Sequence, residues 1–211
     1  MKRKLIITSL CLFGLMSASQ AQIKKNAILL GGDLSYGVQK NDYINGTNLK
    51  SGNIGFSVGK FFTESKVFGI IANYGFNSQR WNSNDSLLSK SDNYNFGVFC
   101  RHYKALGKGF YFFGQGAATY GQSKQEQKPV TTKGTSFSIN LTPGVSYQVF
   151  RKLQMEISLP SIAYLNIGSN NTLINNAPNN SNSKTNFFSI GSSIIGSTPL
   201  NNLSLGVRLI L

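Results

Sequence analysis

The sequence predicts an all-β protein, an eight-stranded antiparallel up-and-down transmembrane β-barrel. Apolar residues alternate with Gly, Ser and Asn along seven segments, which is the two-residue period of a strand. Short and long connections between strands follow one another in turn. An export signal precedes the first segment. After it, no apolar run approaches the ~20 residues that a membrane helix needs, so strands are expected to do the spanning.

Each predicted strand has one apolar face and one face of small polar residues. A sheet exposed to water ordinarily carries Lys, Glu and Thr on its polar face, whereas Gly, Ser and Asn suit a narrow hydrated interior. We therefore expect the apolar face to point outward into lipid. A soluble sandwich or lipocalin-type barrel is the alternative, and it would invert the two faces. In chain order, the alternating segments are residues 28–38, 53–59, 68–76, 94–101, 137–149, 153–159 and 203–211.

The connections between strands differ in length in a regular way. Those at residues 63–66, 104–109 and 150–152 are short, and those at residues 39–51, 77–92, 122–135 and 168–184 are long. Three short and four long connections join eight strands. Short periplasmic turns and longer extracellular loops are typical of outer-membrane barrels. Residues 197–202 are expected to interrupt the last strand.

Aromatic residues concentrate near both ends of the predicted strands, as expected for two girdles at the membrane interfaces. The residues near the short turns are Phe61, Phe62, Phe68, Tyr103, Phe110, Tyr111, Tyr147 and Phe150. Those near the long loops are Tyr36, Tyr74, Phe76, Tyr94 and Tyr120.

The composition excludes several other classes of protein. Charged residues are 13% of the chain and aromatic residues 12%, whereas charged residues make up about 25% of a typical soluble domain. A coiled coil would be rich in Ala, Glu, Lys and Leu, and a charged disordered chain would lack this many aromatic residues. Two Cys residues are too few for a disulfide scaffold.

The chain is basic, with a formal net charge of +14. Its cations lie singly or in pairs, mostly in predicted turns and loops, and no basic helix or run indicates a nucleic-acid partner. The pattern favours attraction to anionic lipid head groups instead. The loop cations that could neutralise lipopolysaccharide phosphates are Lys40, Lys50, Arg80, Lys90, Lys124, Lys128 and Lys133.

Residues 1–21 have the pattern of a cleaved secretory signal peptide. Three positive charges begin it, a twelve-residue apolar stretch follows, and small residues precede a cleavage point after Ala21. A lipoprotein signal acylated at Cys11 is the alternative, although Cys11 lacks a small residue before it. The barrel is then expected to comprise residues 22–211, with Cys100 as its one thiol.

The predicted barrel resembles the small eight-stranded outer-membrane β-barrel proteins of Gram-negative bacteria, the porin-family or OmpA- and OmpX-like barrels. The segments that carry the resemblance are residues 58–62, 97–103, 110–116, 143–145 and 203–209. The resemblance implies the fold and an outer-membrane location, but no single activity. It also implies that the barrel assembly machinery recognises the last strand, from Leu203 to Leu211. The family usually ends that strand with an aromatic residue, and Leu211 departs from this pattern.

Four charged residues are predicted to face the lumen, namely Asp33, Arg101, Glu156 and Arg208. In a closed barrel the last strand lies between the first and the seventh, which allows Arg208 to lie between Asp33 and Glu156. Gln115 and Tyr103 could add hydrogen bonds. Eight strands leave an interior only wide enough for side chains. We expect the four residues to form a salt-bridged plug, because desolvated charges must be paired. A gate that opens to pass small ions is the alternative.

Catalytic and metal-binding residues are sparse. The single His, His102, is predicted to face outward beside a short turn, far from the outer-leaflet lipid that a lipid-modifying enzyme would act on. No feature of the sequence brings a Ser and an acid to it. Cys100 and His102 alone are too few for a metal site, and no cofactor is expected. The sequence therefore predicts a protein that is not an enzyme.

The long loops contain the remaining candidates for contact with a partner. Trp81, the single Trp, lies beside Arg80, and both residue types are common in binding sites. The alternative is that they pack against Leu87 and Leu88 of the same loop. We therefore predict a non-enzymatic structural or surface-interaction role, with a narrow porin-like channel and a lipid A-modifying enzyme as the alternatives. No extracellular ligand can be named.

Overall fold

The computed structural model describes residues 23–40, 46–81, 87–159, 161–174, 181–192 and 203–211. The predicted signal peptide and the expected interruption at residues 197–202 lie outside the described residues. Ten strands contain most of the described residues. They are β1 (Ile28–Lys40), β2 (Thr47–Phe61), β3 (Lys66–Trp81), β4 (Leu87–Gly107), β5 (Phe110–Gln127), β6 (Val130–Phe150), β7 (Leu153–Ser158), β8 (Ala163–Ile174), β9 (Ser181–Gly191) and β10 (Ser204–Ile210).

The strands form a closed antiparallel barrel. Consecutive strands from β1 to β6 pair with one another. The ring is completed by the pairs β6 with β7, β7 with β10, and β10 with β1. This ring contains eight strands. The predicted all-β, eight-stranded, antiparallel barrel is confirmed. In the described part of the chain, no helix is long and apolar enough to cross a membrane.

Two of the spanning strands are divided. β7 and β8 both pair with β6 and together form the seventh strand, while β9 and β10 form the eighth. The pairing of β7 with β6 ends at Ser158 opposite Gly144, and that of β8 begins at Ala163 opposite Leu141, so the break lies beside residues 142 and 143 of β6. The break keeps two backbone hydrogen bonds to β6, from Leu159 to Pro143 and from Ile162 to Leu141. The division of the seventh strand was not predicted.

The two faces of the strands point as predicted. Apolar side chains such as Leu34, Phe56, Ile70 and Phe96 are 62–65% exposed on the outside of the barrel. Gly, Ser and Asn occupy many of the lumen-facing positions, where an eight-stranded barrel leaves only enough width for side chains to fill. The Cβ of an alanine at Gly97, for example, would collide with the backbone of β5.

The strands extend further than expected at the end of the barrel that has the long connections, which we call the loop end. Residues 122–135 were predicted to form a loop, but β5 and β6 continue through them to a two-residue turn at residues 128 and 129. The three other long connections are likewise shortened by continuing strands. These residues lack apolar alternation because they extend beyond the hydrophobic band, and their backbone pairing is what keeps them in strands. The opposite end is called the turn end.

The girdle prediction was wrong for three residues at the turn end. Phe61, Tyr103 and Tyr111 point into the lumen, where Phe61 and Tyr103 are buried. Phe62, Phe68, Phe110 and Phe150 are 40–62% exposed on the outside, as predicted. At the loop end, Tyr36 and Tyr94 are also exposed on the outside. Lumen-facing rings therefore fill the turn end of the barrel.

Candidate functional site

Four charged side chains meet inside the turn half of the barrel and form what we call the lumen cluster: Asp33, Arg101, Glu156 and Arg208. They come from β1, β4, β7 and β10, respectively. The side chains of Arg101, Glu156 and Arg208 are 0–2% exposed, and that of Asp33 is 17% exposed. With two acids and two bases, the cluster is neutral when all four are ionised. The structure thus brings together all four residues that strand parity assigned to the lumen.

Glu156 lies at the centre of the lumen cluster. Arg101 Nη1 donates to both of its carboxylate oxygens, at 2.7 and 2.8 Å. The hydroxyl of Tyr103 donates to Oε1 at 3.0 Å. Arg208 Nε lies 3.1 Å from Oε2 on the other side, close enough for an ion pair but not aligned as a hydrogen bond. One carboxylate therefore compensates parts of two guanidinium charges.

Arg208 links this centre to the first strand. Its Nη2 donates to Asp33 Oδ1 at 2.6 Å. Its Nη1 donates to two backbone carbonyls, of Gly32 at 2.9 Å and of Val207 at 3.2 Å. Gly32 and Val207 are paired residues of β1 and β10. Arg208 therefore ties together the two strands whose pairing closes the barrel.

Arg101 is held by polar and aromatic groups together. Gln115 on β5 accepts from its Nε at 2.9 Å and from its Nη2 at 2.6 Å. The guanidinium carbon lies 4.3 Å from the ring centroid of Phe113, with the rings of Phe99 and Tyr103 at 5.9 and 5.6 Å. Such cation–π contacts are strongest where water is excluded. Nearly every donor of this buried guanidinium thus has a partner, which is the condition for burying a charge.

An apolar layer accompanies the lumen cluster toward the turn end, and we call it the apolar floor. Its side chains are at most 8% exposed and belong to Ile23, Leu29, Phe61, Val67, Phe99, Tyr103, Phe113 and Ile210. Ile23 precedes β1, so the segment before the barrel contributes to the floor as well. This layer was not predicted from the sequence, although the inward parity of these strand positions would have identified most of it.

A few buried polar groups near the lumen cluster have no hydrogen-bond partner within the described residues. They are the amide atoms of Gln154 and the hydroxyls of Ser57 and Ser146, in side chains that are 0–5% exposed. Gln154 is paired with Arg208 across β7 and β10, and Ser146 is paired with Glu156 across β6 and β7. Buried groups of this kind ordinarily bind ordered water.

The other predicted candidates lie apart from the lumen cluster. Trp81 ends β3 at the loop end and is 36% exposed, with Arg80 beside it on the same strand. His102 and Cys100 are exposed on the outer face of β4 near the turn end. Among the described residues, no group of three or more His, Cys, Asp or Glu side chains could hold a metal ion.

The fold and its charged lumen define a class, the small membrane-spanning β-barrels. A family model described as an outer membrane protein beta-barrel domain matches residues 7–195, and the chain belongs to that family. Family and fold place the protein in the outer membrane. β10 lies beyond the matched residues. No curated protein sequence matches the chain.

Several solved structures are similar to this chain, and three of them are described here. The outer membrane protein OprG from Pseudomonas aeruginosa is 9% identical, with a TM-score of 0.56 over 92% of this chain and 99% of that one. Neisserial surface protein A is 14% identical, with a TM-score of 0.47 over 86% and 96%. Ail, the attachment invasion locus protein of Yersinia pestis, is 13% identical, with a TM-score of 0.38 over 89% and 99%. The likeness to OprG concerns the fold alone.

Proposed function

We propose that this protein is a non-enzymatic barrel of the outer membrane, with a structural or surface-interaction role and a lumen that does not conduct. The observation that carries the proposal is the lumen cluster. Opening a path through it would separate Glu156 from two arginines in a site without bulk water. Breaking a buried ion pair costs on the order of 3–5 kcal/mol, so an open state would be rarely populated. The apolar floor is a second barrier in the same half of the barrel.

The proposal includes an orientation and a route. Residues 1–21 direct export and are removed, the turn end lies in the periplasm, and the loop end lies outside. Leu203 to Leu211 is the strand that the assembly machinery recognises. This is supported by the outward apolar alternation of β10, with Leu205, Val207 and Leu209 at 42–61% exposure. The backbone of Leu211 exchanges two hydrogen bonds with Ile28, at 2.9 Å each, so the end of the chain takes part in closure.

A surface role would rest on the loop end. There β4, β5 and β6 rise beyond the aromatic girdle and carry Lys90, Lys124 and Lys133. Lys90 and Lys124 are partly engaged by Asp92 and Glu126 on the same strands, at 3.1 and 2.5 Å. Lipopolysaccharide phosphates are the anionic partner we propose for this surface. Tighter or more stable folding in lipopolysaccharide than in neutral detergent would support it, and equal stability would count against it.

The channel alternative is tested by solute entry into proteoliposomes. Liposomes that contain the folded wild-type protein are diluted into isotonic glycine or arabinose, and swelling is followed by light scattering. A general porin serves as the positive control. We expect the swelling rate of protein-free liposomes. Swelling that increases with the amount of folded protein would replace the proposal with the channel.

The enzyme alternative is tested on lipids. Lipid A from a strain without the protein is compared by mass spectrometry with lipid A from the parent strain. We expect identical species in both, because the structure places the single His on the outer face near the turn end. A lipid A species that depends on the protein would establish an enzyme.

A further inference from the structure

A cavity of about 870 Å³ lies on the outer surface of the barrel, and we call it the outer groove. Its walls are mainly outward-pointing apolar side chains from β1, β2, β5, β6, β7 and β10. Gly32 leaves a gap among them, because a Cβ added at this position would meet no atom within 4 Å. Cavities of roughly 300–1,000 Å³ hold ligands of moderate size.

The outer groove follows one row of paired residues from the turn end toward the middle of the barrel. In this row each residue pairs with the next, in the order Phe110, Tyr147, Met155, Val207, Gly32 and Phe56. Phe110 is the first residue of β5, whereas Phe56 precedes the end of β2 by five residues. The row therefore begins at the turn-end edge of the barrel and runs obliquely away from it.

The length of the row matches the depth of one lipid leaflet. Five spacings between strands of about 4.8 Å give a row roughly 24 Å long. Because the strands of such barrels tilt by about 40°, the row rises by roughly 15 Å along the membrane normal. This rise is about half of the ~30 Å hydrocarbon core. The outer groove thus leads from the turn-end interface to the middle of the membrane.

Three exposed cations lie at the turn-end mouth of the outer groove. Lys108 belongs to the turn just before β5, and Arg151 and Lys152 form the turn between β6 and β7. The backbone N–H of Gln148 donates to the carbonyl of Gly109 at 2.8 Å, which joins the first of these turns to the end of β6. The three cations are therefore held on neighbouring strands beside the same part of the groove.

The charges at the two ends of the barrel are arranged differently. At the loop end, Lys90 and Lys124 form ion pairs with Asp92 and Glu126. In the described turn end, outside the lumen cluster, the one acidic residue is Glu64, in the turn between β2 and β3. Clusters of four to eight cations beside a membrane are typical of proteins that bind anionic lipid head groups. The cations of the turn end are Lys24, Lys25, Lys60, Lys66, Lys104, Lys108, Arg151 and Lys152.

Aromatic rings mark the level at which head groups would meet acyl chains. Phe110 and Tyr147 form the mouth of the outer groove, and their ring centroids are 4.6 Å apart. Phe150 lies nearby on β6 and is 62% exposed. Aromatic side chains of this kind concentrate at membrane–water interfaces. The mouth therefore has cations on its aqueous side and an apolar groove on its membrane side.

We propose that the outer groove is a binding site for an anionic phospholipid, with its phosphate among Lys108, Arg151 and Lys152 and one acyl chain lying along the groove past Gly32. The cations select the charge of the head group, and the groove accommodates a chain of the same leaflet. In the orientation proposed above, this is the periplasmic leaflet. The site lies outside the barrel wall, so it goes beyond the proposed structural role and does not depend on a closed lumen.

The test measures quenching of tryptophan fluorescence by brominated acyl chains, in a Trp81→Phe background that removes the single Trp of the chain. Phe112→Trp is the groove reporter, because Phe112 is exposed on the outside and pairs with Val145 of the groove wall. Phe68→Trp is the control reporter, outside the groove. Both positions lie two residues after the start of their strands. Folding of each variant is verified by its heat-dependent gel shift before it is reconstituted.

Vesicles of phosphatidylcholine with increasing fractions of brominated phosphatidylglycerol are compared with vesicles that contain brominated phosphatidylcholine. At residue 112 we expect half-maximal quenching at a roughly ten-fold lower fraction of the anionic lipid than of the zwitterionic one. The preference for the anionic lipid should be smaller at residue 68. At about 1 M salt the preference at residue 112 should weaken, because exposed charges are screened.

Two matched sets of substitutions locate the head group. Lys108→Gln, Arg151→Gln and Lys152→Gln together should abolish the preference for anionic lipid at residue 112. Lys24→Gln, Lys60→Gln and Lys66→Gln together remove the same charge from the same end of the barrel and should leave that preference unchanged.

A second matched pair locates the acyl chain. Gly32→Leu places a side chain in the open space of the outer groove and should raise the fraction of anionic lipid needed at residue 112 several-fold. Gly116→Leu is the control, because an added Cβ at Gly116 also meets no atom within 4 Å and this glycine does not line the groove.

Four results would overturn the proposal. Equal preference at residues 112 and 68, or its loss in both sets of cation substitutions, would mean general attraction to a basic surface. No preference at either residue would leave the cations to a water-soluble polyanion. Protection of residue 112 from both brominated lipids would show that a second copy of the chain covers the groove. Unchanged quenching in Gly32→Leu would place the acyl chain elsewhere. Each result is independent of whether the lumen conducts, so it leaves the proposed function untouched.

Discussion

Replacement of Glu156 by Gln removes the charge on which two arginines depend. The carboxylate accepts two hydrogen bonds from Arg101 and one from Tyr103, and it lies 3.1 Å from Arg208 Nε. Hydrogen bonds to charged groups contribute about 1.5–3 kcal/mol each, but they are not additive within one network. Removing one partner of a buried pair costs about 3–5 kcal/mol, because the other charge stays buried. We expect E156Q to lower the free energy of unfolding by that amount.

The assay is urea unfolding of the folded barrel in phospholipid vesicles, read from the fraction that keeps the fast-migrating band on an unheated gel. Asp92→Asn is the matched control, because Asp92 is also paired, with Lys90 at 3.1 Å, but at the loop end near solvent. Exposed pairs contribute about 0.2–1 kcal/mol. E156Q combined with Arg101→Met restores neutrality and should lose less stability than the sum of the two single variants. A loss for E156Q no larger than that for D92N, with additive behaviour of the pair, would refute this reasoning.

Three further predictions follow from the walls and the loop end of the barrel. Gly97→Ala should destabilise the barrel strongly, because the added Cβ would collide with the backbone of β5, whereas Gly114→Ala should be neutral, because its Cβ meets nothing within 4 Å. The same urea titration compares the two variants, and equal stabilities would contradict the packing of the barrel wall. Ile70→Lys should cost about 2–4 kcal/mol, since a cation on the lipid face is unfavourable near the bilayer midplane, and an unchanged midpoint would show that Ile70, 63% exposed, does not face lipid. A hydrogen bond from Lys124 and its positive charge hold the pKa of Glu126 below its usual range. The Glu126 carboxylate therefore adds stability at pH values above the ordinary Glu pKa, and this stability is lost as the pH falls through the lowered pKa of Glu126. NMR titration of the carboxyl carbon should show a higher Glu126 pKa in Lys124→Gln, and an unchanged pKa would refute the pairing.

Strand parity and barrel closure were enough to predict the lumen cluster. Period-two alternation assigned Asp33, Arg101, Glu156 and Arg208 to one face, and the cyclic order of strands put Arg208 between the two acids. Both are local or topological properties that a single sequence contains. The structure adds the distances and the bonds from Arg208 to two backbone carbonyls.

Other features depended on information that alternation does not carry. Residues 122–135 have the polar composition of a loop, yet they form strands, because backbone pairing alone stabilises a sheet beyond the hydrophobic band. Phe61 and Tyr103 are a different case, because their position near turns suggested a girdle although their strand parity, which the sequence does contain, places them inside the barrel.

Single-channel recording in planar bilayers tests the central claim, a lumen closed by paired buried charges, most directly. The wild-type barrel is inserted at low protein density, with insertion verified by recovery of the folded form, and current is recorded at high salt over a range of voltages. The account predicts no unitary steps above the bilayer baseline. Reproducible steps that scale with salt concentration in the wild-type protein, from a barrel with its four charges intact, would contradict it.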